Sequence, residues 1–350
     1  MKSIKCDYQK EESVYNNKFQ LLFNKLLKEG IEIKNIILLL TELENEFKAI
    51  AKSYGIAKTN YDIELSQGVA INPNLAAQCF SDYLRTHRFM LGVYRCVCDL
   101  RAATSNQLRI LYAGTGPYAT IILPLLYLFN PNDIAITAIE INPDSLGSVQ
   151  RIMEFLGKQH YFESITLADA TTYSPTGHFD IIISETMDKA LSREPQLAIF
   201  SNLVQFLSPN GHLIPECIRV NLLASSIKLE KNVPYNQFDD KQTREINRQH
   251  RHHIENVICA NIDFYKNYHL TPGTNIYLKT VSTKEISPLL NELLFITEVV
   301  VYKNIELLED DSNITKKYIG YSFVDADRGK NFDVFYLNNQ SPRLELSVKS

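Results

Sequence analysis

From Leu108 onward, short runs rich in β-branched and aliphatic residues (109–112, 134–139, 164–168 and 179–184) alternate with helical stretches. Strands that alternate with helices form parallel βαβ units covered on both faces, which restricts this stretch to an α/β layer fold. Upstream, apolar residues recur at helical spacing (Phe19, Leu22, Phe23, Leu26, Leu27, then Ile36, Leu39, Leu40, Leu43, Phe47), and Gly30 breaks the pattern. This predicts a helical hairpin, and the amphipathic hairpin is a candidate dimer contact. Turn residues Asn72, Pro73 and Asn74 lead into a third helix, from Leu75 to about Ala102. After Pro215 the segments shorten and alternate (218–223, 275–283, 298–307, 318–324, 333–337), which predicts mostly antiparallel β structure. Within it, the charge-rich stretch 239–268 reads as a helical excursion. The chain thus divides into a helical region (1–103), an α/β domain (104–215) and a β-rich domain (216–350).

A chain of 350 residues suits two or three domains. With 45% hydrophobic and 22% charged residues it has the balance of a folded globular protein. Its net charge of -4 supplies no diffuse positive field for nucleic acid or anionic lipid. Arg244, Arg248 and Arg251 read as a solvated helix face. The longest uncharged apolar run, 121–129, is short of the ~20 residues that cross a bilayer. The opening Met1-Lys-Ser-Ile-Lys-Cys-Asp has no hydrophobic signal core, which predicts a cytoplasmic location. Cys6, Cys79, Cys96, Cys98, Cys217 and Cys259 are scattered without zinc spacing and read as reduced thiols. The His250-Arg-His-His253 cluster reads as a solvated helix face, and no metal is assigned.

The chemistry concentrates in the α/β stretch. Arg109-Ile-Leu-Tyr-Ala-Gly-Thr-Gly-Pro is a strand entering a glycine turn ahead of a predicted helix, so a nucleotide-like ligand can approach bare backbone at Gly114 and Gly116. The next strand ends in Glu140, placed to accept ribose hydroxyls. A further strand ends at Asp169, a candidate acceptor for an adenine amino group. A dinucleotide needs a third glycine to admit its pyrophosphate, and Pro117-Tyr118 lacks it, which disfavours NAD. The spacing of these elements instead resembles the class I S-adenosylmethionine-dependent methyltransferases.

A more specific resemblance starts at the fourth strand. Ser184-Glu-Thr-Met-Asp-Lys-Ala-Leu-Ser-Arg-Glu194, followed by Leu207-Ser-Pro-Asn-Gly-His-Leu-Ile-Pro215, looks like the protein arginine methyltransferases. Their hallmark is a loop with two glutamates nine residues apart, matched by Glu185 and Glu194, with Met187 in the family's methionine position. The resemblance implies that both carboxylates hold a substrate guanidinium. The physics agrees, because that planar cation is a rigid fork that carboxylates grip in a fixed orientation. Upstream, Asp82-Tyr-Leu-Arg-Thr-His-Arg-Phe89 is similar to the family's Asp-x-x-Arg-Thr-x-x-Tyr helix. It implies that Arg85 clamps the cofactor's carboxylate and that Asp82 faces the substrate. The resemblance runs from about residue 66 to the end. It implies a Rossmann-like core, a cofactor-covering helix, a C-terminal β-barrel and a dimerising arm, hence a homodimer.

The departures matter equally. Tyr112 stands at the usual aspartate before the first glycine, and Tyr118 at the third glycine. Asp188 replaces the glycine after Met187 and adds a third carboxylate on the substrate side. Residues 66–77 replace a tyrosine-rich segment. The chain has no tryptophan, so the family's late Thr-His-Trp loop is missing. Those losses fall on peptide-groove features and favour free arginine or a small guanidino metabolite as substrate. Protein arginine methylation and a non-catalytic binding subunit are the competing readings.

Overall fold

The computed structural model describes residues 2–53, 59–231, 241–268 and 270–349. In chain order the elements are α1 (Lys2–Leu26), α2 (Ile33–Ser53), β1 (Ile63–Leu65), β2 (Gly68–Ala70), α3 (Pro73–Gln78), α4 (Tyr83–Ala103), β3 (Leu108–Ala113), α5 (Leu125–Leu128) and β4 (Ile134–Glu140). They continue as α6 (Pro143–Phe155), β5 (Phe162–Leu167), β6 (Phe179–Ser184), α7 (Gln196–Leu203), β7 (Leu207–Ile214), β8 (Cys217–Ser225), α8 (Lys241–Gln249) and β9 (His252–Ala260). Last come α9 (Ile262–Asn267), β10 (Thr274–Ser282), β11 (Glu292–Tyr302), β12 (Ile305–Leu307), β13 (Tyr318–Ser322), β14 (Asn331–Asn338) and β15 (Arg343–Val348). The chain splits into two compact units.

The first unit comprises Met1–Ile63, Ile71–Glu185 and Gln205–Ile214. Its centre is a five-stranded sheet of order β5-β4-β3-β6-β7, with every neighbouring pair parallel. All seven residues of β4 are buried, as a parallel strand covered on both faces requires. Asn142 caps α6, accepting the N–H groups of Asp144 (3.0 Å) and Ser145 (3.3 Å) ahead of Pro143 in the first turn. The helix expected directly after the glycine turn does not form as one piece. Ala119 turns left-handed (φ 49°), a single 3₁₀ turn follows over Thr120–Ile122, and α5 has four residues. Pro124, which lacks an N–H, separates those two pieces.

The hairpin of α1 and α2 forms as expected, but its apolar stripe is covered by its own unit. Phe19 stacks on Phe47 (5.3 Å) and meets Tyr127 edge-on (5.7 Å), while Tyr15 meets Phe155 of α6 at 5.4 Å. Phe19, Phe23, Leu26, Leu40, Leu43 and Phe47 have no exposed surface. The stripe is interior to its own unit.

The second unit comprises Glu64–Ala70, Thr186–Val204 and Pro215–Ser350. Five strands form one antiparallel sheet of order β12-β11-β8-β9 with β13 also on β11, and β10-β14-β15 form another. The core includes Leu223, Leu294 and Ile296, with Phe295, Val299, Phe332 and Val334 fully buried. The helical excursion is corrected in part. Helices α8 and α9 flank β9, a strand of nine residues on β8. Two bulges, between Val220 and Asn221 and between Leu222 and Leu223, interrupt the alternation that would mark β9 in the sequence. Residues 239–240 lie outside the described residues. The histidine cluster is likewise no helix face, since His252 and His253 open β9 and successive strand residues point to opposite sides.

The solvated arginine face is corrected for two of its three residues; of the three only Arg248, on α8, is exposed. Arg244 pairs with Asp311 (2.8 Å). Arg251 grips Glu230 through two nitrogens (2.7 and 2.8 Å) and Glu309 through the third (2.6 Å), with its side chain only 5% exposed. Glu230 also takes Lys317 (2.9 Å), and these cations hold its carboxyl well below the usual range against the opposing effect of burial.

Candidate active site

In the parallel sheet the chain winds outward from β3 to β4 and β5, then returns to the other side of β3 for β6 and β7. Ligands of open α/β sheets bind outside the carboxyl ends of the strands at such a switch point. Tyr112, Glu140 and Glu185 sit at those ends on β3, β4 and just beyond β6. Gly114 (φ 75°) and Gly116 (φ 59°) give the turn after β3 its left-handed steps, which a side chain would strain. The buried Glu140 carboxylate anchors that turn. Its Oε2 accepts the Gly116 N–H (2.8 Å) and the Thr115 hydroxyl (3.4 Å), and its Oε1 accepts the Asn142 N–H (2.9 Å). Burial raises its pKa, and these donors lower it by less.

Arg85 of α4 donates to Glu185 Oε2 in a largely buried ion pair. Burial pushes the Glu185 carboxyl up to about 7, with Asp82 adding to the rise and Arg85 opposing it. Burial alone would lower the Arg85 pKa, but Glu185 and Asp82 reverse the sign and keep its guanidinium charged. Glu185 Oε1 is buried and has no hydrogen-bond donor among the described residues. Asp82 is 3% exposed at the start of α4, where its carbonyl accepts the Thr86 N–H (2.9 Å). Tyr112 is fully buried, and its phenol is raised by desolvation and by the charges of Glu185 and Glu140. Arg85, Asp82, Tyr112, Glu140 and Glu185 thus share one electrostatic neighbourhood. Asp169 follows β5, and its Oδ1 accepts the N–H (2.8 Å) and hydroxyl (2.7 Å) of Thr171 in an Asx turn.

Met187, Asp188 and Glu194 belong to the second unit. Met187 is buried, Asp188 caps a 3₁₀ turn by accepting the Lys189 N–H (2.8 Å), and Glu194 is half-buried. Ala190 (φ 55°), Leu191 (φ 55°) and Arg193 (φ 67°) are left-handed without being glycine. Such residues persist only where their surroundings fix them. The Ala190 N–H donates to Thr297 Oγ1 (2.9 Å) and the Arg193 N–H to the Pro342 carbonyl (2.9 Å). The Thr186 N–H donates to Gln196 Oε1 (2.9 Å) on α7.

Sequence reasoning missed the β1–β2 hairpin that also grips this loop. The Val69 N–H donates to the Arg193 carbonyl (2.9 Å), and buried Gln67 donates to the Leu270 carbonyl (2.8 Å). Gly68 (φ +140°) lies so close that a Cβ there would meet the Arg193 carbonyl oxygen at 2.9 Å. In the first unit it missed Glu44 of α2, 3% exposed, which accepts the hydroxyls of Ser81 (2.6 Å) and Tyr83 (3.0 Å) beside Asp82. Tyr118 packs against Phe47 (5.9 Å) and Phe80 (6.5 Å), so the ring at the third-glycine position is part of the seat of α2.

No family model matches the sequence, and none of the curated proteins does. Solved structures do match. The Trypanosoma brucei PRMT1 enzyme–prozyme heterotetrameric complex with AdoHcy is similar at 11% identity and a TM-score of 0.51, over 79% of this chain and 93% of that one. Arabidopsis thaliana protein arginine methyltransferase 10, in an open conformation, is similar at 13% identity and a TM-score of 0.47, over 74% and 86%. At such identities the likeness speaks to architecture, and the chain has the Rossmann-like class I methyltransferase fold with a β-rich C-terminal part found in the arginine methyltransferases.

Proposed function

We propose that this chain is an S-adenosylmethionine-dependent N-methyltransferase acting on a guanidino group, with free L-arginine or a small guanidino metabolite as its substrate. One observation carries the reading: buried Glu185 already holds a guanidinium, that of Arg85, on one oxygen, and its other oxygen has no donor among the described residues. A carboxylate so placed suits a cationic fork better than a neutral amine.

The residues present fit the cofactor. Buried Arg85 suits the carboxylate of its amino-acid part, the fixed Glu140 suits the ribose hydroxyls, Asp169 suits the adenine amino group, and bare backbone at Gly114 and Gly116 admits close approach, with Tyr112 walling that edge. When bound, S-adenosylmethionine supplies an electrophilic methyl on a sulfonium. Glu185 orients the guanidinium so that one nitrogen lone pair faces that methyl, and the resemblance assigns Glu194, Met187 and Asp188 to the same task. The carboxylates' negative charge offsets the positive charge passed to the substrate. One proton must leave the methylated nitrogen during or after transfer, and Glu185 Oε1 is positioned by its open acceptor to hold it; Asp82 supports the same side. The missing tryptophan-containing loop favours a small substrate over a peptide. Action as a homodimer is part of the proposal, checked by mass in light scattering.

The test is incubation with methyl-labelled cofactor and a panel of free arginine, other guanidines, amines and arginine-rich peptides, followed by mass analysis. Free arginine or a small guanidine should gain the label fastest. Faster labelling of peptides would overturn the substrate class, and no labelling together with no cofactor binding in calorimetry would leave a non-catalytic binding subunit. Glu194→Gln should lose about 10²-fold or more in turnover with cofactor affinity intact, because it removes charge at nearly constant shape.

A further inference from the structure

The six cysteines look scattered in sequence, yet the fold brings two of them together. Strands β8 and β9 pair antiparallel with Ile218 opposite Ala260 and Arg219 opposite Cys259, so Cys217 and Cys259 are diagonal neighbours on one face. Their sulfurs are 2.9 Å apart, inside the ~4 Å of ordinary heavy-atom contact. Both are free thiols; Cys259 is exposed and Cys217 is buried. The Arg219 side chain bonds to the Cys217 sulfur, and the fully buried Tyr265 ring lies in the same electrostatic neighbourhood. Neither cysteine has a part in the methyl-transfer reading.

We propose that Cys217 and Cys259 are a redox modification site that closes into a reversible intramolecular disulfide when the protein meets a hydroperoxide. The exposed Cys259 sulfur attacks one peroxide oxygen, the O–O bond breaks, and Cys259 becomes a sulfenic acid while its thiol proton passes to the other oxygen, which leaves as water when the oxidant is hydrogen peroxide. The Cys217 sulfur then attacks the Cys259 sulfur, the S–O bond breaks, and the hydroxyl departs as water with the Cys217 proton. Burial pushes the Cys217 thiol up to about 12, so its proton is retained until this second step, where the Arg219 guanidinium favours the developing thiolate. A thiol reductant returns both cysteines by exchange.

The experiment treats the full-length protein with hydrogen peroxide, blocks remaining thiols with a maleimide and reads intact mass and a peptide map. The expected result is a loss of two free thiols, a cross-linked peptide joining Cys217 to Cys259, and reversal by dithiothreitol. Cys217→Ser should stop at an oxidised Cys259, and Cys259→Ser should leave Cys217 unmodified. Wild-type protein whose Cys259 is oxidised while Cys217 stays free, or whose cross-link joins another pair, would overturn the proposal. The wild-type map decides alone should either serine variant fail to fold.

Discussion

Glu185 is the residue on which the site's electrostatics turn. Burial raises its carboxyl from an ordinary 4.5 to about 7, so the folded chain binds more protons than the unfolded chain between those values. The stability it contributes is therefore fully present below pH 4.5 and is lost as pH rises through 7, by about 3 kcal/mol at most. Under the proposed function, its grip on a substrate guanidinium has the opposite slope, since only the ionised form is a strong acceptor. Wild type should thus bind guanidines more tightly from pH 6 to 8, about tenfold per unit below the pKa, while its urea midpoint falls relative to Glu185→Gln. Parallel urea midpoints for the two proteins across that range would show that Glu185 does not titrate as described. The variant also leaves the Arg85 cation without its carboxylate, so it should be the less stable protein throughout.

Among the elements, the 186–195 loop and the β1–β2 hairpin act together. Three left-handed residues store roughly 1 kcal/mol of strain or more each, and the hairpin is one of the contacts that hold them. Gly68→Ala drives a methyl into the Arg193 carbonyl at a φ that side chains rarely adopt. It should cost roughly 1–3 kcal/mol of stability, read by thermal unfolding, and should lower turnover with cofactor affinity retained, because the displaced backbone carries Glu194. Unchanged turnover would separate the hairpin from the site. This device was hidden in the sequence because each strand has three residues, too few for a period to show. The parallel strands were legible for the converse reason: 134–139 and 181–183 are buried on both faces and read as short, largely apolar, β-branched runs. β9 was masked by two bulges. The meeting of Arg85 with Glu185, a hundred residues apart, is a product of tertiary structure that motif spacing suggested only through their separate roles.

At the scale of the whole molecule, acid stability sets two buried groups of the first unit against each other. His87 of α4 is 1% exposed and bonds through Nε2 to the Leu26 carbonyl (3.0 Å) at the end of α1, which makes that nitrogen the N–H donor of a neutral ring. Burial pushes its pKa down to about 4 from 6.5, with Arg88 acting in the same direction. Its contribution is therefore present above pH 6.5 and is lost as pH falls through 4, again by about 3 kcal/mol at most. Glu185 gains over much of the range in which His87 loses, so the wild-type midpoint should stay nearly flat between pH 4.5 and 6.5. His87→Gln keeps an N–H for Leu26 without a titrating ring, and it should uncover the Glu185 slope, gaining stability as pH falls. Glu185→Gln should uncover the His87 slope of opposite sign, and in the double variant both slopes should vanish. Urea midpoints at four pH values for the four proteins measure all of this, and a flat profile in either single variant would remove its partner from the balance. The loss at His87 has a place as well as a size. Protonation puts a charge on the buried Nδ1, which has no partner among the described residues, while the Nε2–H bond to Leu26 remains, so the ring gains by leaving its site and limited proteolysis of wild type below pH 4 should cut first within the N-terminal hairpin, while His87→Gln resists.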